Sequence, residues 1–313
     1  VTASSGTYGR PASPEDGPPA DDMPEATRPR ARSTRPFPTF LQGLGLVVLV
    51  LVLQSSIGLA AFLLDPTSGT YSQHPLTLGV ANLLAFGIVI LVATRRRGIG
   101  FAAVCPSGPV SPGILLLVAV LILGTVILLS EVDNLTRLVF PPPAGLAEAF
   151  EELLDTRARP ISSFFLLVVV APVTEEVLCR GLILRGFLGN YSKRSAILLS
   201  ALLFAVMHTN PWQFISAFVA GVLLAWLLIE TGSLLPCLFA HAVANGTAYL
   251  AGLTRVEVPG FTSSMGDAVQ FQPFWLNAVG VAFAVGGYLL LRRTFRDKAR
   301  PPEDLYRRPR APA

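Results

Sequence analysis

The chain has 313 residues, of which 52% are apolar and only 14% charged, with a mean hydropathy of +0.58. A soluble domain carries nearer a quarter charged residues, so a water-soluble globular domain is excluded and a polytopic membrane protein is implied. The net charge of +4 comes largely from Arg outside the apolar runs, which is an orientation signal and not a nucleic-acid footprint. Cys105, Cys179 and Cys237 share no metal-like spacing and suggest neither a disulfide framework nor a zinc knuckle.

Residues 1–36 are rich in Pro, Ser, Ala, Asp and Glu and close on Arg28, Arg30, Arg32 and Arg35. They read as a disordered cytoplasmic tail, since little in them can bury surface. The apolar run that follows starts too late and runs too long for a cleavable signal peptide. Residues 37–295 form the transmembrane helical domain, and 296–313 read as a second disordered cytoplasmic tail. At ~20 residues per crossing, eight runs are long enough to span. They lie near 38–64, 76–94, 111–130, 162–188, 195–210, 212–230, 233–252 and 274–291. The fold class is therefore all-α, a polytopic transmembrane bundle of about eight spans.

Arg95, Arg96 and Arg97 follow the second span, Lys193 and Arg194 the fourth, and Arg292, Arg293, Arg296, Lys298 and Arg300 the eighth. The positive-inside rule then predicts an integral multi-pass protein, in the plasma membrane, with both termini cytoplasmic. Arg137, Arg157 and Arg159 are exceptions, in the long outer loop after the third span. That loop also holds an amphipathic stretch, Leu146 to Leu154, expected to lie on the membrane surface.

The fourth span contains Ala171-Pro-Val-Thr-Glu-Glu-Val-Leu-Cys-Arg-Gly181. Ionisable groups within an apolar span are costly and mark a functional site. Glu176 and Arg180 are four apart, share a helix face and can pair. Glu175 lies about 100° around the axis, at ~3.6 residues per turn, and is the carboxylate free to work. A structural ion-pair cluster tying helices together is the bland alternative.

Of the three histidines, His74 falls in a loop, while His208 ends the fifth span and His241 begins the seventh. His241 and Asn245 are four apart on one face. Glu175 and His208 each lie ~21 Å along the helix from the turn near 189–194, so they can meet. His241 lies only ~12 Å into its span on the same scale, a mismatch that a deeper start or a tilt must absorb. Pro236 and Gly232 allow such a break where backbone is buried in protein.

A carboxylate beside an imidazole can deprotonate a water. A His and an Asn one turn apart can donate to an oxyanion. Together these groups suffice to hydrolyse an amide, with catalytic residues Glu175, His208, His241 and Asn245 supported by Glu176 and Arg180. Glu175, His208 and His241 can alternatively bind Zn²⁺ with an open position, although the His-Glu-x-x-His signature is absent.

Glu175-Glu176-x-x-x-Arg180, Phe204-x-x-x-His208 and His241-x-x-x-Asn245, in that order on separate spans, resemble the three motifs of the CPBP (ABI) family. These are CAAX-processing and bacteriocin-processing intramembrane proteases, related to the CAAX prenyl endopeptidase. The resemblance covers about residues 160–252. It implies a membrane cavity, water activated by Glu175 and His208, an oxyanion site of His241 and Asn245, and a membrane-associated peptide or protein substrate. It implies an intramembrane (metallo)endopeptidase, with a metal-free glutamate mechanism as the other form. Two further function classes compete. A proton-coupled transporter could use Glu, His and Arg as a relay, but no repeat of the helix pattern is found. A non-catalytic membrane partner or immunity protein on the same fold is the other. No nucleic-acid partner is expected.

Overall fold

The structure is a computed structural model that describes residues 36–66, 74–143, 145, 156–254, 256–263 and 265–296. The two tails and the amphipathic stretch 146–154 lie outside the described residues. The helices are α1 (Phe40–Leu64), α2 (Pro75–Arg97), α3 (Pro112–Val139), α4 (Pro160–Asn190), α5 (Lys193–Met207), α6 (Pro211–Thr231), α7 (Leu235–Leu253) and α8 (Phe274–Arg296). Each falls on one of the eight apolar runs. No strand occurs among the described residues; Ser107 and Ser233 form an isolated bridge.

The helix ends are written in the sequence. Pro75, Pro112, Pro160, Pro211 and Pro236 sit in first turns, where the missing N–H costs nothing. Asn210 Oδ1 accepts from Trp212 N, and Ser192 Oγ accepts from Ser195 N. α6 stops at Gly232, whose φ of 63° is the left-handed conformation that closes a helix without a Cβ penalty.

Six helices are long and apolar enough to cross a membrane, and between 17% and 39% of each apolar window is buried. Most of that apolar surface therefore faces outward. In water this would be untenable; in a bilayer it is the lipid face. The two that fall short are α5, with 15 residues, and α7, with 19 but with His241, Asn245, Thr247 and Tyr249 along it. The protein is thus an all-helical, multi-pass integral membrane protein, and the count of eight crossings is the part that composition alone does not secure.

Two packing features position the site. Behind α4, the short helical turn Phe101–Val104 presses so close that a Cβ on Gly181 would lie 2.0 Å from the Val104 carbonyl oxygen. Next to it, the α6–α7 turn is held inside the protein. Leu234 N donates to Pro106 O, and Ser233 and Leu234 are buried.

At the other end, the polar tip of α3 is strapped to the segment before α8. Glu131 accepts from Gln272 N, Asn277 Nδ2 and Asn134 Nδ2. Asn134 also donates to Gly260 O, and Gln272 Nε2 to Ile127 O and Ser130 Oγ. Arg137 donates to the carbonyls of Met265 (3.0 Å) and Asp267 (2.7 Å) and is 7% exposed. This corrects its placement in a loop: Arg137 closes α3 and is consumed by a tertiary contact.

Candidate active site

α4 is a single helix with two stretches wound wider than α. Phe165–Val170 and Val177–Leu184 make i→i+5 turns, and Ala171–Glu176 between them is α-helical. Such bulges gather at functional sites. Here the cause is visible. Pro172 has no N–H, and the Ala171 N–H goes back to Leu166 O. The Leu167 carbonyl is left to the side chain of Asn245 on α7, whose Nδ2 donates to it at 2.9 Å. A proline on α4 and an amide on α7 are thereby locked in register.

The two carboxylates divide as their spacing suggests. Glu176 is fully buried and accepts from Arg180 Nη1 at 2.9 Å. Arg180, 1% exposed, also donates through Nη2 to Gly221 O and lies 4.2 Å above the Phe204 ring. The sequence did not reveal the third member. His241 Nδ1 sits 2.8 Å from the same Glu176 Oε1. Since a carboxylate oxygen only accepts, Nδ1 carries a proton. The ring's other nitrogen, Nε2, faces Glu175 Oε2 at 4.0 Å. That oxygen is buried and has no hydrogen-bond partner. Two acceptor lone pairs facing each other would repel, so a proton, or a bound donor such as water, belongs between Nε2 and Oε2.

His208 terminates α5, and its Nδ1 is 2.8 Å from Phe204 O. The carbonyl accepts, so Nδ1 is the protonated nitrogen and Nε2 offers a lone pair. No hydrogen bond or ion pair joins His208 to Glu175. Between the two histidines stands Phe204, whose ring makes edge contacts with His208 (4.9 Å) and His241 (5.7 Å). Phe204 therefore separates the histidines and also stacks on Arg180. The cluster brings Glu175, Glu176, Arg180 and His241 together, sets His208 one ring away, and holds Asn245 on the α4 backbone.

His241 reaches the α4 carboxylates despite the depth mismatch counted along the helices. The α6–α7 turn is buried under residues 106–108, and the wide turns of α4 climb less per residue than α-helix. Among the described residues no three His, Cys, Asp or Glu side chains converge closely enough to hold a metal ion. Glu175 and His241 supply two facing donors, but His208 is not assembled with them. The donor set as it stands does not fit a three-ligand zinc site.

The site of this multi-pass helical membrane protein draws carboxylate, imidazole and carboxamide groups from α4, α5 and α7, with Glu176, Arg180 and His241 buried. Residues 157–247 match the family described as type II CAAX prenyl endopeptidase Rce1-like. Over that segment the resemblance carried by the three motifs stands, and it contains every residue of the cluster. No curated protein and no solved structure matches the chain.

Three contributors escaped the sequence reading. Phe204 was visible as a motif position but without a task. The Gly221 carbonyl gave no signal, because main-chain acceptors have none. Pro172 did give one, since a proline inside a helical run must leave a carbonyl unpaired.

Proposed function

We propose that the protein is an intramembrane endopeptidase that hydrolyses a peptide bond of a membrane-associated protein or peptide. The observation that carries this reading is the unpartnered Glu175 Oε2, buried and aimed at His241 Nε2 across 4.0 Å. A carboxylate held so, with its neighbour Glu176 already committed to Arg180 and His241, is free to take a proton from water.

In this mechanism Glu175 is the general base, and His208 assists through its unprotonated Nε2. Water adds to the peptide carbonyl. His241, carrying protons on both ring nitrogens, then donates from Nε2 to the developing oxyanion, while Glu176 holds its Nδ1–H and fixes the ring. Asn245 keeps a second Nδ2–H for the same oxyanion, the first being spent on Leu167 O. The proton taken by Glu175 or His208 passes to the leaving amine. In this form of the mechanism no step is routed through a metal. Zinc held by Glu175, His208 and His241 is the competing form, and would need His208 to move.

The test is cleavage of membrane-tethered peptides by purified protein, wild type and Glu175→Gln, each with and without chelator and with metal content determined. Wild-type turnover that survives chelation, and falls by about 10²–10⁴ in Glu175→Gln without loss of fold, is expected. Normal cleavage by Glu175→Gln would remove the hydrolase reading in favour of a transporter or a non-catalytic partner. Loss of turnover with chelation would move the reading to the metal form.

A further inference from the structure

Away from the cluster, at the basic end of the bundle, α6 and α8 leave a cavity of about 250 Å³. Its walls are Trp226 and Glu230 of α6 and Tyr288, Arg292, Phe295 and Arg296 of α8. Trp226 packs on Tyr288 (5.3 Å) and Phe295 (5.4 Å), forming an aromatic floor. Arg292 and Arg296 are one turn apart and face the same space. Like charges at this spacing repel, and among the described residues neither makes an ion pair. The one acid in the wall, Glu230, is already paired with Lys193 of α5 at 3.2 Å. Among the described residues the cavity is therefore left with two unpaired guanidiniums over an aromatic floor.

A second observation concerns what leads to it. Val281, Val285 and Leu289 climb α8 at four-residue spacing and are 49%, 51% and 45% exposed. Continued upward, the same stripe reaches Arg292 and Arg296. An apolar track that ends in paired guanidiniums matches an amphiphile with acyl chains below and an anionic head above. Trp and Tyr at the boundary belong to the same membrane–water level.

We propose that this cavity binds the phosphate of an anionic phospholipid, with Arg292 and Arg296 on the phosphate oxygens and the acyl chains along the α8 stripe. Arg suits this because its planar fork meets phosphate oxygens bidentately. α8, which supplies Arg292 and Arg296, lies outside the family-matched segment 157–247, while Trp226 and Glu230 lie inside it. The site does not depend on the proteolytic reading.

The experiment uses the full chain in neutral detergent and measures the melting temperature against three additives: short-chain phosphatidylglycerol, short-chain phosphatidylcholine and inorganic phosphate. The variants are Arg292→Gln/Arg296→Gln and, as a control at the same basic end, Arg95→Gln/Arg96→Gln. Phosphatidylglycerol is expected to raise the melting temperature of wild type and control with saturation. The cavity variant should need at least tenfold more lipid for the same rise. If inorganic phosphate alone gives the saturable, Arg-dependent rise, the site is for free phosphate and not for lipid. Equal effects of phosphatidylcholine and phosphatidylglycerol, or an unchanged titration in the cavity variant, would overturn the site. If the glutamine variant does not fold, Arg292→Lys/Arg296→Lys takes its place. Keeping charge but losing the fork, it should weaken the titration; no change would count against the site.

Discussion

Two buried polar networks hold this bundle together, and they are built on opposite plans. At the tip of α3, side chains spend themselves largely on backbone: Arg137 on the Met265 and Asp267 carbonyls, Glu131 on the Gln272 N–H, Asn134 on Gly260 O. In the cluster around Glu176, ionisable side chains are paired with one another, and Glu175 Oε2, Glu176 Oε2 and Arg180 Nε are left over. A backbone-directed network fixes the shape of a loop, and the atoms it leaves unpartnered, Arg137 Nε and Gln272 Oε1, neither give nor take a proton near neutral pH. A network of acids and bases keeps protons that can move. The contrast separates a structural strap from a site with chemistry, although both are buried and both join helices.

The contrast can be broken most forcefully at Arg180. Replacing it with Ala leaves Glu176 buried beside a single partner, and should destabilise the fold by about 3–5 kcal/mol. Thermal unfolding in detergent would show it, with expression falling in parallel. A stable Arg180→Ala protein would mean that Glu176 is not held as an anion. Next comes Asn245→Ala. It should cost ~10²–10³ in turnover by removing an oxyanion donor, with a smaller stability loss from the freed Leu167 carbonyl. A purely structural Asn245 would show the stability loss alone.

Arg137→Ala addresses the other network. It should cost about 1.5–3 kcal/mol for charged hydrogen bonds and expose residues 256–267 to protease, while turnover per folded molecule stays within about twofold. A specific loss of turnover would erase the distinction between strap and site. The smallest effect is expected from Pro172→Ala. That change restores a main-chain N–H at position 172, which can take Leu167 O away from Asn245. Turnover should fall by less than tenfold, with stability unchanged or raised. A fall as deep as that of Asn245→Ala would make the proline lock the chief determinant of the amide's position.

The helices and the pairing within one helix were legible because their signals are local: apolar length for the helices, and four-residue spacing for Glu176–Arg180. What was not legible is relational. The spacing rule says which groups share a face of one helix, but not which carboxylate a histidine on another helix will meet. His241 meets Glu176 through Nδ1 and Glu175 only at longer range. Counting rise per residue misplaced His241 because it assumed uniform α-helix and an outer turn, while α4 is partly wound wider and the α6–α7 turn is buried. Arg137 looked like a topology exception because a sequence cannot show that a basic residue is occupied by carbonyls.

The buried α6–α7 turn also sets an order of assembly. Leu234 N finds its acceptor in Pro106, and Ser233 bridges to Ser107, so this corner closes onto a segment synthesised long before it. The helices on either side of the site, α5 and α7, are also the two that length or composition leaves short of a confident crossing. They carry His208, His241 and Asn245. A nascent chain would place the strongly apolar helices first and seat α5 and α7 afterwards, against neighbours already present. The carboxylates of α4 would then meet the His241 imidazole only once α7 is seated.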